Sequence, residues 1–88
     1  MGKVIVGLRV LPESVETNLE ELKEAIKSKI PQYATLGSIK EKYIAFGLRA
    51  LEVAVIIPDT AGGSEEIERA ISEIKGVSSV EIVGTGLL

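Results

Sequence analysis

Two segments, each with one narrow apolar stripe at helical spacing, are interleaved with four period-two runs in the order β-α-β-β-α-β. That order predicts an α+β sandwich, a four-stranded antiparallel sheet with both helices on one face, because each single stripe must share one core with the other. Right-handed crossovers then select the ferredoxin-like, split β-α-β topology. The 88 residues make one domain, with no linker and no low-complexity run.

The first strand covers Lys3 to Leu11, where Val4, Val6, Leu8 and Val10 alternate with Lys3, Ile5, Gly7 and Arg9 until Pro12 stops the run. Thr17 or Asn18 caps the first helix, since Thr17-x-x-Glu20 and Asn18-x-x-Glu21 both fit a capping box. Leu19, Leu22, Ala25, Ile26 and Ile30 form its apolar stripe, and Pro31 closes it. Leu36 to Ile44 reads as a mostly polar strand, Ala45-Phe46-Gly47 as a turn, and Leu48 to Ile57 as the most apolar strand, with Leu51, Val53, Val55 and Ile57 on one side. Pro58 to Gly63 is rich in turn formers. Ser64 is expected to cap the second helix, with Ile67, Ala70, Ile71 and Ile74 buried and Gly76 ending it. Val77, Val80 and Ile82 give a last short strand, and Gly84 to Leu88 is left as a tail.

Composition narrows the chemistry. Apolar residues are 45%, charged residues 26%, and the net charge is −3, the balance of a soluble globule. With no cysteine and no histidine, thiolate nucleophiles, sulfur-bound metals, imidazole ligands and serine–histidine triads are excluded. One phenylalanine and two tyrosines are too few for a base-stacking sheet. The apolar start from Val4 is interrupted by Arg9 and Glu13, too early for a signal or spanning segment. Met1-Gly2 lacks the Ser or Thr that myristoylation wants, having Val6 at that position. A cytoplasmic protein that touches neither membrane nor nucleic acid is expected.

Few constellations could carry chemistry. Gly62-Gly63-Ser64 before a helix could hold a phosphate, but Glu65 and Glu66 stand where the anion would dock, which favours a plain turn and cap. Glu20, Glu21 and Glu24 are interleaved with Lys23 and Lys27, the pattern of a solvated helix face. Asp59 is the only aspartate, so no dense hard-metal cage is available. Tyr43-Ile44-Ala45-Phe46-Gly47-Leu48-Arg49 is more informative: an aromatic at a hairpin tip with an arginine close behind suits a protein interface, or Phe46 folds back against the sheet. The apolar ending Gly86-Leu87-Leu88 either covers the core or meets a partner.

Several of these segments together resemble the archaeal elongation factor 1-beta family, the guanine-nucleotide exchange factors of elongation factor 1-alpha. The likeness runs along nearly all of the chain. It is carried by Leu11-Pro12-Glu13-Ser14, Asn18 to Lys23, Ile44-Ala45-Phe46-Gly47-Leu48, Ala50-Leu51-Glu52-Val53, Gly62-Gly63-Ser64-Glu65-Glu66 and Ile74 to Glu81. The resemblance implies that residues 1–88 form a single exchange domain. Such a domain binds the GTPase, speeds GDP release so that GTP can load, and needs neither cofactor nor metal. It also implies a chain that is a monomer on its own. In the eukaryotic branch the hairpin and the C-terminal end face the partner, and a basic residue beside the terminus is pushed toward the magnesium and phosphate. Carried over, the contact residues are Phe46, Gly47, Arg49, Gly84, Thr85, Gly86, Leu87 and Leu88. The tail Val83 to Leu88 has no lysine or arginine. The inserting role then falls to another group, Arg49 if the hairpin lies near the tail, or displacement is steric.

Three rivals share the topology. A regulatory module would dimerise through its sheets and bind a metabolite at the seam, for which no convergent polar cluster is visible. A nucleic-acid-binding sheet would want a basic, aromatic face. An acyl-phosphate hydrolase would want a loop with arginine and asparagine, whereas the only asparagine, Asn18, begins a helix.

Overall fold

The computed structural model describes residues 2–58 and 63–87. Its elements are β1 (Lys3–Pro12), α1 (Leu19–Lys29), β2 (Thr35–Ala45), β3 (Leu48–Pro58), α2 (Ser64–Ser72) and β4 (Val77–Leu87). The sheet order is β2-β3-β1-β4 with every neighbouring pair antiparallel, the predicted ferredoxin-like arrangement. Alternation in the two central strands sets the layers: Val6, Leu8 and Val10 of β1 and Leu51, Val53, Val55 and Ile57 of β3 are buried against Leu22, Ile26, Ile67 and Ile71 of the helices. The odd positions of β1 and the even positions of β3 form the other face, which no helix covers.

The helix ends resolve what the spacing left open. Asn18 is the cap of α1, its side chain accepting from the Glu21 backbone N–H at 3.1 Å. Ile30 leaves the helical region with ψ 126°, as a residue before proline does. Ser64 is not the cap expected for α2. It is the first helical residue, and Gly63 takes the cap position without a side-chain bond. Tyr33 enforces this, because its hydroxyl donates to the Gly63 carbonyl at 3.2 Å and its ring fills the space that a Cβ on Gly63 would need. α2 also ends at Ser72, short of Gly76. Ile74 is buried in the turn that follows, and Gly76, at φ +99°, reverses the chain into β4.

The largest departure is the tail. Gly84 to Leu87 is not a loose end but the second half of β4, paired with Gly7 to Val4. The ladder slips between Ile82 and Gly84, leaving Val83 as an extra residue on β4. One extra residue inverts the alternation, so Val80 and Ile82 share a face with Thr85 and Leu87. Period-two reading therefore stops at the bulge. The residues 59–62 of the expected turn-rich loop, and Leu88, lie outside the described residues.

Candidate functional site

The β2–β3 hairpin closes through Phe46 and Gly47 between the paired Ala45 and Leu48. Both central residues have positive φ, 54° at Phe46 and 77° at Gly47, the backbone of a type I′ turn. Such a turn favours Asn-Gly, and a bulky side chain held at positive φ costs about 1–2 kcal/mol. Phe46 does not fold back against the sheet. It is 97% exposed, the most exposed large apolar side chain among the described residues. Tyr43, Ile44 and Val15 are exposed around it, and a Cβ on Gly47 would lie 4.0 Å from Val15 Cγ1. The β1–α1 loop thus sits beside the tip, and a hollow of about 300 Å³ between them is lined by Pro12, Val15, Leu19, Gly47 and Arg49.

Arg49 is fixed from behind. It donates to Glu41 at 3.2 Å, while Lys23 of α1 donates to the other Glu41 oxygen at 2.9 Å. The hydrogen bond and charge of Lys23, then those of Arg49, hold the Glu41 carboxyl below the usual carboxylate range, and the bond to Glu41 raises Lys23 above its usual range. Glu41 has the lowered folded pKa, so its contribution to stability is present above its unfolded pKa and fades as pH falls through the folded value. Lys23 has the raised one, so its share is present below its unfolded pKa and fades as pH rises through the folded value. The pair is therefore at full strength between roughly pH 5 and 10. Glu41→Gln should lower the midpoint of urea unfolding at pH 7, and the difference from wild type should shrink as the pH falls below the usual carboxylate range.

The C-terminal residues of the expected contact set lie elsewhere. Leu87 pairs with Val4 at one end of β1, whereas the hairpin lies beyond the Val10–Leu51 pair at the other. Nine residue steps separate the levels of Leu87 and Leu48, about 30 Å of strand, in a molecule whose long axis is 42 Å. Phe46, Gly47 and Arg49 thus form one surface, and Gly84, Thr85, Gly86 and Leu87 another. Arg49 is not a basic group beside the tail. Leu87 is 79% exposed and does not cover the core. The basic residue nearest in the chain to the tail's partner is Lys3, exposed and next to Val4, but as an odd position of β1 it lies on the face opposite Leu87.

Other chemistry finds little to build on. Among the described residues no three acidic, histidine or cysteine side chains group as a metal site. The start of α2 is occupied by Tyr33, which also donates to Glu66 at 3.2 Å, so the Gly63-Ser64 segment is a turn and cap rather than a phosphate cradle. Burial, with the charge of Glu66 second, pushes the Tyr33 hydroxyl pKa up. A hollow of about 650 Å³ beside α1 carries Glu21, Lys29, Glu73 and Lys75, charges of both signs that suit no single small ion.

Residues 5–88 match the family described as the EF-1 guanine nucleotide exchange domain. The chain belongs to this family. Its members act in guanine-nucleotide exchange during translation elongation. The curated relatives include an elongation factor 1-beta of Methanosarcina acetivorans, 48% identical over 84 residues and 94% of each chain. Another, from Methanoculleus marisnigri, is 42% identical over 88 residues and the whole of both chains. Among solved structures, the ACT domain from GTP pyrophosphokinase of Chlorobium tepidum superposes with a TM-score of 0.65 at 16% identity, covering 92% of this chain and 99% of that one. The C-terminal domain of the MgtC protein from Mycobacterium tuberculosis gives 0.61 at 18% identity, over 99% and 89%. At those identities the likeness is one of fold alone. The regulatory-module alternative gains nothing from it, and exchange domain is the reading that the family supports.

Proposed function

We propose that residues 1–88 act as one exchange domain that binds elongation factor 1-alpha and speeds release of its GDP by protein contact alone, without covalent chemistry or cofactor. The observation that carries this is the placement of exposed apolar side chains. Val15, Tyr43, Ile44 and Phe46 gather at the hairpin end, and Ile82, Val83 and Leu87 lie along β4. These seven are the large apolar residues exposed among the described residues. A strained, fully exposed Phe46 adds no packing to the fold, and strain kept at such a position points to an anchor for another molecule. The hairpin, with Phe46, Gly47 and Arg49, is then one contact. The end of β4, from Gly84 through Leu87, with Leu88 next in the chain, is the other.

An exchange factor works by linkage. It binds the nucleotide-free GTPase better than the GDP form, and it weakens GDP by the same factor. Two contacts about 30 Å apart suit that task, because they can hold two parts of the partner in a relative position that GDP opposes. With no basic residue in the tail and Arg49 at the far end of the sheet, displacement at the magnesium and phosphate region is steric. The role needs neither nucleic acid nor membrane, and it is that of a cytoplasmic protein. A standard interface takes about 800 Å² from each partner, a minor part of the 5491 Å² that the chain exposes.

The test is release of fluorescent GDP from the cognate elongation factor 1-alpha. Substoichiometric amounts of this protein should accelerate release catalytically. A rate unchanged at a tenfold excess contradicts the role. Removal of residues 84–88 is a poor probe of the tail, because it also deletes the ladder to β1. Point substitutions are required there.

A further inference from the structure

The face of the sheet that no helix covers is self-complementary, and we propose that a second copy of this chain occupies it, two sheets packing face to face about a two-fold axis parallel to the strands. Residues directly paired across antiparallel strands share a face, so the registers define rows running across all four strands. In the order β2, β3, β1, β4, one row is Lys40, Glu52, Arg9 and Glu81, another is Ser38, Ala54, Gly7 and Gly84, and a third is Thr35, Ile56, Ile5 and Gly86.

The charged row alternates plus, minus, plus, minus, and Arg9 contacts the glutamate on either side of it. Arg9 reaches Glu52 and Glu81 at 3.3 Å each, and Lys42 approaches Glu52 at 3.7 Å. Pairing within one sheet accounts for neighbours of opposite sign. Over an even number of strands, the alternation also makes the row complementary to its own reverse. The two-fold axis lays β1 over the partner copy's β3 and β4 over its β2. Each arginine at position 9 then faces a glutamate at 52, and each lysine at 40 a glutamate at 81. The same operation sets Ile5 against Ile56 and Gly7 against Ala54. No like charges meet, the isoleucines meet each other, and the hydroxyl side chains of Ser38 and Thr35 fall on Gly84 and Gly86 at the rim.

The shape agrees. Gly7, Ala54, Gly84 and Gly86, with Ile5 and Val83, line a shallow hollow of about 340 Å³, and Val83, on the bulge beside it, is 46% exposed. Sheets pack face to face about 10 Å apart when side chains from both sides fill the gap. Here the small side chains of one copy, Ala54, Ser38 and Thr35, lie over Gly7, Gly84 and Gly86 of the other, which lets the sheets approach while Ile5 meets Ile56. Four strands by six residues give a footprint of about 19 by 20 Å. That is small against the roughly 800 Å² per partner of a stable complex, so the association is weak and reversible. The monomer suggested by the sequence is then the form at low concentration.

The symmetry supplies its own test, because an in-sheet role for the charges cannot reproduce it. By sedimentation equilibrium, wild-type protein should shift toward twice its monomer mass between about 10 and 500 μM, at low salt where surface charges are least screened. Arg9→Glu alone places four carboxylates at the seam and should stay monomeric. Glu52→Arg alone places four guanidinium groups there and should stay monomeric too. Mixed one to one, the two variants are complementary again. The introduced carboxylate at position 9 of one faces the introduced guanidinium at position 52 of the other, and the unchanged Glu52 faces the unchanged Arg9, so a heterodimer should form. A wild type that stays monomeric at 500 μM, a dimer of either single variant, or a mixture that stays monomeric overturns the proposal. Should either variant fail to melt cooperatively, Ala54→Lys, at the centre of the face, takes its place. It should be monomeric where wild type is dimeric, and a dimer of Ala54→Lys would equally overturn the proposal.

Discussion

Phe46→Asn should stabilise the free protein and disable it as an exchange factor. Asparagine tolerates the left-handed region that φ 54° imposes here, and Asn-Gly is the favoured pair for a type I′ hairpin. Relieving the strain should contribute about 1 kcal/mol, which for a domain of this size raises the melting temperature by roughly 4–8 °C. The same change removes an apolar anchor that is 97% exposed and so contributes no core packing. Loss of a central aromatic from an interface typically costs 2–4 kcal/mol, or about 30- to 1000-fold in binding. Thermal melts should therefore move up while kcat/KM for GDP release falls by about two orders of magnitude. Phe46→Ala keeps the unfavourable φ and should lose exchange with little change in melting. A drop in stability for either variant would place Phe46 in packing that this fold does not show.

Leu8→Ala should do the reverse. Leu8 is fully buried in β1, between β3 and β4 and under the helices. Leucine-to-alanine changes at such sites cost about 3–5 kcal/mol, because the lost transfer energy is joined by a cavity that the surroundings fill only in part. The whole domain is worth roughly 4–13 kcal/mol, so the variant should melt about 12 °C lower or more. At temperatures where it remains folded, its exchange activity should match wild type, since neither the hairpin nor the end of β4 depends on that side chain for a contact. Calorimetry and the release assay on the same sample check both halves. A folded Leu8→Ala that had lost exchange would mean that the core and the contact surfaces are coupled.

The contrast between Leu8 and Phe46 marks how far the sequence could be read. Leu8 sits in uninterrupted alternation, and its burial, its strand and the sheet order all followed from period and element count. Phe46 carried a hairpin signal, but whether the ring turned inward or outward depended on backbone angles that no spacing reveals. The tail was misread for a definite reason. Val83 adds one residue to β4, the alternation changes parity there, and Gly84-Thr85-Gly86 then looks like a loop while forming a strand. Ser64 looked like a cap because nothing in the local sequence announces that Tyr33, thirty residues away, fills the space beside Gly63. The placement of the contact residues failed to show for a third reason. Hairpin and terminus can be assigned to opposite ends only when the register of β1 with both neighbours is known.

The central claim is that the two ends of the sheet both grip the GTPase. Amide hydrogen exchange of this chain, free and bound to nucleotide-free elongation factor 1-alpha, tests it most directly. Slowed exchange is expected in two separate segments, the hairpin around residues 43–49 and the end of β4 at residues 84–87, with α1 and α2 unchanged. Protection confined to one of those segments, or centred on the helices, would contradict the account.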